Sequence, residues 1–155
     1  MDITKQADQV PVLRDLVSRL LNQTAILVGK VASEALAVEG THRYHFATLA
    51  TLDAFGAASQ AELCRRTAID RSDMNAVVNA LEVQGAVTRV PDPTDRRQNI
   101  VELTEEGRAR FERTRDRLAL AQDRALAPLA EAERRELLRL LQTVHDHLAA
   151  APRSD

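Results

Sequence analysis

The sequence predicts a mainly α fold with one small β-hairpin, and three observations support this prediction. Only five Gly and five Pro interrupt the 155 residues, so long helices can form. Apolar residues recur at steps of three and four near both ends of the chain, which is the period of an amphipathic helix. Between residues 86 and 103 apolar and polar residues roughly alternate, which indicates two short strands.

A long first helix is predicted from Pro11 to about Val38. Proline fits the first helical position, and Gly40 fits the position just beyond the end of a helix. The apolar stripe of this helix has heptad spacing and consists of Leu13, Val17, Leu20, Thr24, Leu27 and Val31. A stripe of this length favours packing against a partner.

Capping residues predict the next two helices. Thr41 can cap a helix that runs to about Phe55, because a threonine oxygen accepts a hydrogen bond from a free N–H at a helix start. Ser59 can cap a short helix over residues 60–66, and Glu62 completes a capping box.

A further helix and a hairpin follow. Asp70 can cap a helix that runs to Gln84 and is closed by Gly85. Strands are predicted over residues 86–90 and 98–103, with Pro- and Asp-rich turn chemistry between them. This order of elements is that of a helix-turn-helix followed by a wing.

The last two helices carry a second apolar stripe. Thr104 is predicted to cap a long helix that Pro128 ends or interrupts, and a final helix starts near Glu131. The stripe of the final helix consists of Leu137, Leu141, Val144 and Leu148. Stripes at both ends of a short chain predict a homodimer that pairs through those ends.

The composition excludes several classes of protein. A formal net charge of −2 excludes a uniformly basic nucleic-acid coat, and three Phe, one Tyr and no Trp argue against a base-stacking single-strand binder. No stretch approaches the ~20 apolar residues of a membrane span, and the N-terminus has no signal core. We therefore expect a cytoplasmic protein with no membrane partner.

Motifs of catalysis and metal binding are absent from the sequence. There is no phosphate-cradling Gly loop, no nucleophile elbow and no H-E-x-x-H motif, so we expect no enzyme, no catalytic residue and no cofactor. Cys64 is the single cysteine, which excludes a cysteine-based zinc site, and we expect it to be a small core residue. His145 and His147 do not share a helical face, so no metal site is expected there.

The middle of the chain resembles the MarR family of bacterial transcription regulators. The resemblance is carried by SQAELCRRTAIDRS at residues 59–72, LEVQGAVTR at 81–89, DPTDRR at 92–97 and VELTEEG at 101–107. It implies a winged helix-turn-helix homodimer that binds pseudo-palindromic double-stranded DNA, often under the control of a small molecule. Ala68 departs from the family pattern because it stands where relatives usually have Gly.

The resemblance also implies how the chain is divided. Residues 1–155 form a single MarR-like domain. Within it, residues 41–103 form the winged helix-turn-helix DNA-binding lobe, and residues 11–38 and 104–150 form the dimerisation helices.

The candidate DNA-binding residues lie in the helix-turn-helix and the wing. The start of the recognition helix enters the major groove in such motifs, where Arg can bind guanine and Asn adenine. The resemblance further implies that Asp95 orients Arg97 and that Arg97 reaches the minor groove. The full candidate set is Ser59, Gln60, Arg71, Ser72, Asp73, Asn75, Asn79, Asp95, Arg96 and Arg97.

A candidate effector site lies at the start of the second helix. Arg43, Tyr44 and His45 form a polar and aromatic cluster that could meet a phenolate or carboxylate. The alternative is that these residues form only a capped, partly exposed helix start.

The sequence is therefore compatible with two functions of different classes. The first is a dimeric transcription regulator, expected to be a repressor, that binds a double-stranded DNA operator and is released by a small amphipathic or anionic effector. The second is a winged-helix scaffold that binds a protein and no DNA. The second is supported by residues 59–103, which hold six cations and seven anions.

Overall fold

The computed structural model describes residues 10–95 and 99–150 and confirms a mainly helical chain with a small antiparallel sheet. The helices are α1 Pro11–Arg14, α2 Val17–Ala37, α3 Arg43–Phe55, α4 Gln60–Thr67, α5 Arg71–Val83, α6 Glu105–Ala125 and α7 Glu131–Ala150. The strands are β1 Ala58–Ser59, β2 Val87–Pro91 and β3 Asn99–Leu103.

The hydrophobic core lies in the lobe formed by α3, α4, α5, the sheet and the start of α6. Its fully buried side chains are those of Leu49, Leu52, Leu63, Met74, Val78, Leu81, Val87 and Val101. Full burial of such a side chain contributes about 1.5–3 kcal/mol, so this core fixes how α5 is presented at the surface. Cys64 is half-buried and packs against the core, in line with a small core residue.

The sheet has three strands in the order β1-β3-β2, where the sequence predicted two. Strands β2 and β3 form the expected hairpin, with Val87 opposite Leu103 and Pro91 opposite Asn99. Strand β1 adds Ala58 opposite Val101 on the other edge of β3. A strand of two residues is too short to show an alternating pattern, which is why the sequence did not reveal it.

The prediction of one uninterrupted first helix is wrong. Helix α1 ends at Arg14, and Leu16 has an extended backbone with φ −80° and ψ 103° before α2 begins. Asp15 follows the last residue of α1, and aspartate has a lower helix propensity than the leucine and arginine residues around it. The Arg19 guanidinium donates to the carbonyl oxygen of Leu13 at 3.2 Å, which satisfies one backbone group that the break leaves open.

The predicted cap of α3 is also wrong, because His42 and not Thr41 caps this helix. The Nδ1 atom of His42 accepts from the N–H of Tyr44 at 3.3 Å. Thr41 belongs to the end of the preceding helix, since its N–H donates to the Leu36 carbonyl at 3.2 Å and Gly40 has a φ of 62°. These are the bonds of a Schellman motif, so Gly40 stands where it was expected.

The other predicted caps are confirmed. Ser59 Oγ accepts from the Glu62 N–H at 3.2 Å, and Thr104 Oγ1 accepts from the Gly107 N–H at 2.9 Å. The Glu62 side chain, expected to complete a capping box, forms ion pairs with Arg65 and Arg66.

An ion-pair cluster joins the end of α2 to α6. The Glu39 carboxylate accepts from Arg113 Nε at 3.1 Å and from Arg117 Nε at 2.9 Å. Hydrogen bonds from Arg113 and then Arg117 lower the pKa of Glu39. The cluster therefore connects the segment that follows α2 to helix α6.

The terminal helices present an apolar groove of about 550 Å³. Its lining includes Val17, Leu20 and Leu21 of α2 and Leu137, Leu138 and Leu141 of α7. Within residues 131–150 no side chain of α7 is buried. Among the helices of residues 10–95 and 99–150, none is both long and apolar enough to cross a membrane.

Ala68 has a backbone conformation that favours glycine, with φ 55° and ψ 23° at the end of α4. A left-handed alanine costs roughly 1–2 kcal/mol, and the greater freedom of unfolded glycine offsets part of that cost. We expect Ala68→Gly to raise the free energy of unfolding by about 0.5–1 kcal/mol in urea denaturation. Ala119→Gly, at an exposed position within α6, should lower it by a similar amount. Destabilisation by both substitutions would contradict the strain at Ala68.

Candidate nucleic-acid interface

The first turn of α5 is fixed by its capping residue. Asp70 Oδ1 accepts from the backbone N–H groups of Ser72 at 2.8 Å and Asp73 at 2.9 Å. The bond from the Asp73 backbone contributes most to the lowered pKa of Asp70, so the cap is a carboxylate near neutral pH. This rigid start projects the exposed side chains of Arg71 and Ser72 from the lobe.

A polar stripe runs along the outer face of α5. Arg71, Asn75 and Asn79 follow one another at steps of four residues and are all exposed, so they lie on successive turns of one face. Met74 and Val78, on the inner side, are fully buried. The core thus orients the stripe outward.

Four of the candidate DNA-binding residues meet around one surface concavity of about 740 Å³. Ser59 and Gln60 come from the start of α4, and Arg71 and Asn75 from α5. The concavity also includes Asn99 at the start of β3, which no sequence motif had indicated. Residues far apart in sequence are therefore gathered beside α5.

Ion pairs engage three arginines of this lobe. Arg65 and Arg66 pair with Glu62, and Arg89 pairs with Glu82. Within the described residues 10–95 and 99–150, no ion pair involves Arg71. These pairs take up the Glu62 and Glu82 carboxylates, and Arg71 remains as a cation at the exposed start of α5.

Arg89 joins strand β2 of the hairpin to α5, and the sequence did not indicate a role for it. This β2 residue donates through Nη2 to Asn79 Oδ1 at 2.6 Å and pairs through Nη1 with Glu82. The contact spans ten residues and links a strand to a helix, so no helical or strand periodicity could reveal it.

The loop between β2 and β3 begins with an ordered turn. Asp92 Oδ1 accepts from both the N–H and the hydroxyl of Thr94, each at 2.7 Å. The Thr94 hydroxyl and then its N–H lower the pKa of Asp92. Asp95 is half-buried, and the candidate residues Arg96 and Arg97 lie outside the described residues.

A second, smaller concavity of about 330 Å³ separates the start of α3 from α5. Its lining comprises His42, Tyr44, His45, Asp73, Ala76, Val77 and Ala80. Two of the three candidate effector residues are therefore brought together here. Asp73, assigned to the DNA-binding set, lines this concavity and not the one around Arg71.

His45 is the buried polar group of this second concavity. It is 6% exposed, and burial, followed by the electrostatic influence of His42 and Arg110, lowers its pKa to about 4. Within the described residues its Nδ1 atom has no hydrogen-bond partner. Its neutral ring lies 3.7 Å from that of His42.

Arg43 lies outside this lining but contacts it through Tyr44. Its Nη2 donates to the Tyr44 hydroxyl at 3.0 Å, and its guanidinium lies 4.7 Å from the centre of the Tyr44 ring. An exposed cation thus stands beside the aromatic residue of the concavity.

A helix-turn-helix with an attached β-hairpin and long flanking helices defines a winged-helix regulator, and comparisons with known proteins identify its family. The model of the MarR family matches residues 39–98. The repressor Rv2887 of Mycobacterium tuberculosis is 32% identical over 79% of this chain and 88% of its own length. The chain belongs to the MarR family of transcription regulators.

Two further relatives are similar to this chain. The repressor NicR of Pseudomonas putida is 37% identical over 65% of this chain, and the match spans 64% of NicR. The repressor CouR, solved with a 23-mer DNA duplex, is 29% identical with a TM-score of 0.79 over 87% of this chain and 96% of CouR. A structure of Rv2887 contains p-aminosalicylic acid and matches with a TM-score of 0.67 over 84% of this chain and 98% of that one, at 29% identity.

Proposed function

We propose that this protein is a homodimeric repressor in the cytoplasm that binds a pseudo-palindromic double-stranded DNA operator and releases it when a small effector binds. The observation that carries the proposal is the grouping of Ser59, Gln60, Arg71 and Asn75 around one concavity at an exposed recognition helix. Arg and Asn can read base edges, and Ser can bind phosphate. The DNA-bound relative CouR supports the same partner.

The apolar groove of the terminal helices supports a second copy of the chain as partner. In one protomer Leu20 is 59% exposed and Leu141 is 42% exposed. Each leucine gains about 1.5–3 kcal/mol when it is fully buried. A second copy would cover these stripes and present two recognition helices to the two halves of a palindromic site.

The concavity at His45 supports an effector site. Its walls belong to both α3 and the recognition helix, so an occupant would contact the element proposed to read DNA. Ala76, Val77 and Ala80 offer an apolar surface to an aromatic ring, and His45 Nδ1 can bind a hydroxyl or amine proton. Asp73 disfavours an acid group inside, so we place that group at the mouth, toward Arg43.

DNA binding is tested by removing single arginines. The purified protein is first incubated with fragmented genomic DNA, and the retained fragments identify the operator. We expect Arg71→Ala to weaken operator binding by about 1–3 kcal/mol and to relax base preference.

Arg97→Ala should weaken binding by a similar amount, lower the salt slope by about one ion and leave base preference unchanged. Asp95→Ala should also weaken binding if Asp95 orients Arg97.

Arg135→Ala is the matched control, because it removes an exposed arginine from α7. Its affinity should stay close to that of the wild type at every salt concentration. A wild-type protein that retains no DNA at low salt would refute the DNA-binding proposal and favour the protein-binding scaffold. Tighter binding by Asp95→Ala would refute its positioning role alone.

The effector site is tested with p-aminosalicylic acid as the probe. We expect this compound to lower operator affinity of the wild type, because it binds the DNA-free conformation better. His45→Leu, which keeps apolar volume but removes Nδ1, and Tyr44→Ala should each raise the half-effective concentration about tenfold or more. His147→Ala, at an exposed position of α7, should have no effect. An unchanged response in both site variants would place the effector elsewhere.

A further inference from the structure

We infer that Asn79 reads only hydrogen-bond acceptors on DNA, because Arg89 occupies the oxygen of its amide. The expected preference is for guanine or thymine, and against the adenine that an unconstrained asparagine favours. The inference rests on the proposed DNA-binding function and assigns Arg89 as a residue that determines the specificity of its neighbour.

The orientation of the Asn79 amide follows from the chemistry of its partner. Arg89 Nη2 lies 2.6 Å from Asn79 Oδ1. A guanidinium carries donors and no acceptor, so the atom that faces it must be the amide oxygen. The Asn79 NH₂ group therefore points away from Arg89.

The arginine is held in place from both sides. Glu82 lies one helical turn after Asn79 and pairs with Nη1 of the same guanidinium. The Asn79 oxygen and the Glu82 carboxylate, on one face of α5, therefore bind the two terminal nitrogens of Arg89 together. The Arg89 side chain is only 19% exposed, and its backbone lies in β2 opposite Val101, which is fully buried. Strand and helix together restrict Arg89 to this pose.

An asparagine in this state presents its NH₂ donors to the major groove, because its amide oxygen already accepts from Arg89. A free asparagine binds adenine bidentately, accepting from N6 and donating to N7. With its oxygen occupied, Asn79 can donate to guanine N7 and O6 or to thymine O4. Adenine offers the acceptor N7 beside its N6 amino group, and cytosine offers only its N4 amino group. The Asn79 NH₂ group would therefore face a donor in both bases and could donate to at most one acceptor at adenine, against two at guanine.

Asn75 provides the comparison within the same helix. It lies one turn before Asn79 on the exposed face and lines the concavity with Arg71. Loss of the Arg89 guanidinium should therefore change base preference at the base pair read by Asn79 and leave the one read by Asn75 unchanged.

The test measures dissociation constants for all single base-pair variants of one operator half-site, by fluorescence anisotropy. The wild type should prefer guanine or thymine about tenfold over adenine and cytosine at one base pair, and Asn79→Ala should remove this preference. Asn79→Asp keeps an acceptor for Arg89 but presents a second acceptor to DNA, so it should favour adenine or cytosine. Arg89→Met frees the asparagine and should shift the preference to adenine.

Different outcomes separate the two proposals. A wild-type protein that retains no genomic fragment contradicts DNA binding itself. This inference is overturned, and DNA binding is left intact, if the wild type binds its operator tightly but prefers adenine at the Asn79 position. The same conclusion follows if Asn79→Ala has the same base profile as the wild type. Should Arg89→Met fail to fold, as judged by circular dichroism, the Asn79→Asp and Asn79→Ala profiles still decide the question, because Asn79 is exposed on the helix surface.

Discussion

Leu141→Asp is expected to convert the proposed dimer into a monomer or to unfold the terminal helices. Leu141 lines the apolar groove with Leu20 and Leu137 and is 42% exposed in one protomer. In the dimer each copy would bury a carboxylate, and burial of an unpaired charge costs several kcal/mol. We expect the dimer to weaken by at least about 4 kcal/mol, which is a factor of about 1,000 in the dissociation constant.

Light scattering and sedimentation at micromolar concentration measure this effect. Val83→Asp is the matched control, because Val83 is 90% exposed at the end of α5 and lies outside the groove. It should leave the mass of the particle unchanged. A wild-type protein that is a compact, stable monomer under these conditions would refute the proposed dimer.

Much of the local structure could be predicted because its causes are local. Ser59, Asp70 and Thr104 cap helices through bonds to residues two or three positions away, and such spacings are visible in a sequence. Ala68 was identified as a departure from its family, and its left-handed backbone gives that departure a physical meaning.

Features that depend on distant partners could not be predicted. The strand at Ala58 and Ser59 exists because β3 lies beside it. Likewise, Arg89 reaches Asn79 and Glu82 only after the hairpin folds onto α5.

The candidate site was predicted in part for the same reason. Ser59, Gln60, Arg71 and Asn75 were chosen by motif and do meet around one concavity. Asp73 was grouped with them by its closeness in sequence. Two residues along a helix correspond to a rotation of about 200°, so Asp73 lies on the far side of α5 from Arg71, beside His45.

Gly107→Ala is expected to disrupt the junction between the segment that follows α5 and the start of α6. A Cβ atom at this buried glycine would overlap the carbonyl oxygen of Ala86 and lie 2.8 Å from the Ala86 carbonyl carbon and 2.9 Å from Leu103 Cδ1. The same Ala86 oxygen accepts from the Thr104 N–H at 3.1 Å. The backbone of Ala86 cannot move aside as a flexible side chain can. The overlap with the new Cβ atom can therefore be relieved only if α6 shifts.

We expect Gly107→Ala to lower the free energy of unfolding by about 3 kcal/mol or more, measured by urea denaturation with both proteins well above the dimer dissociation constant. Gly29→Ala is the matched control, because it adds the same methyl group within α2, where no atom lies within 4 Å of the new Cβ. That change should raise stability by about 0.5–1 kcal/mol, since alanine favours helix over glycine. Because Gly29 lies off the heptad stripe, the dimer should tolerate it. If Gly107→Ala and the wild type were equally stable, Gly107 would not pack against the Ala86 carbonyl group in solution as closely as it does in this structure.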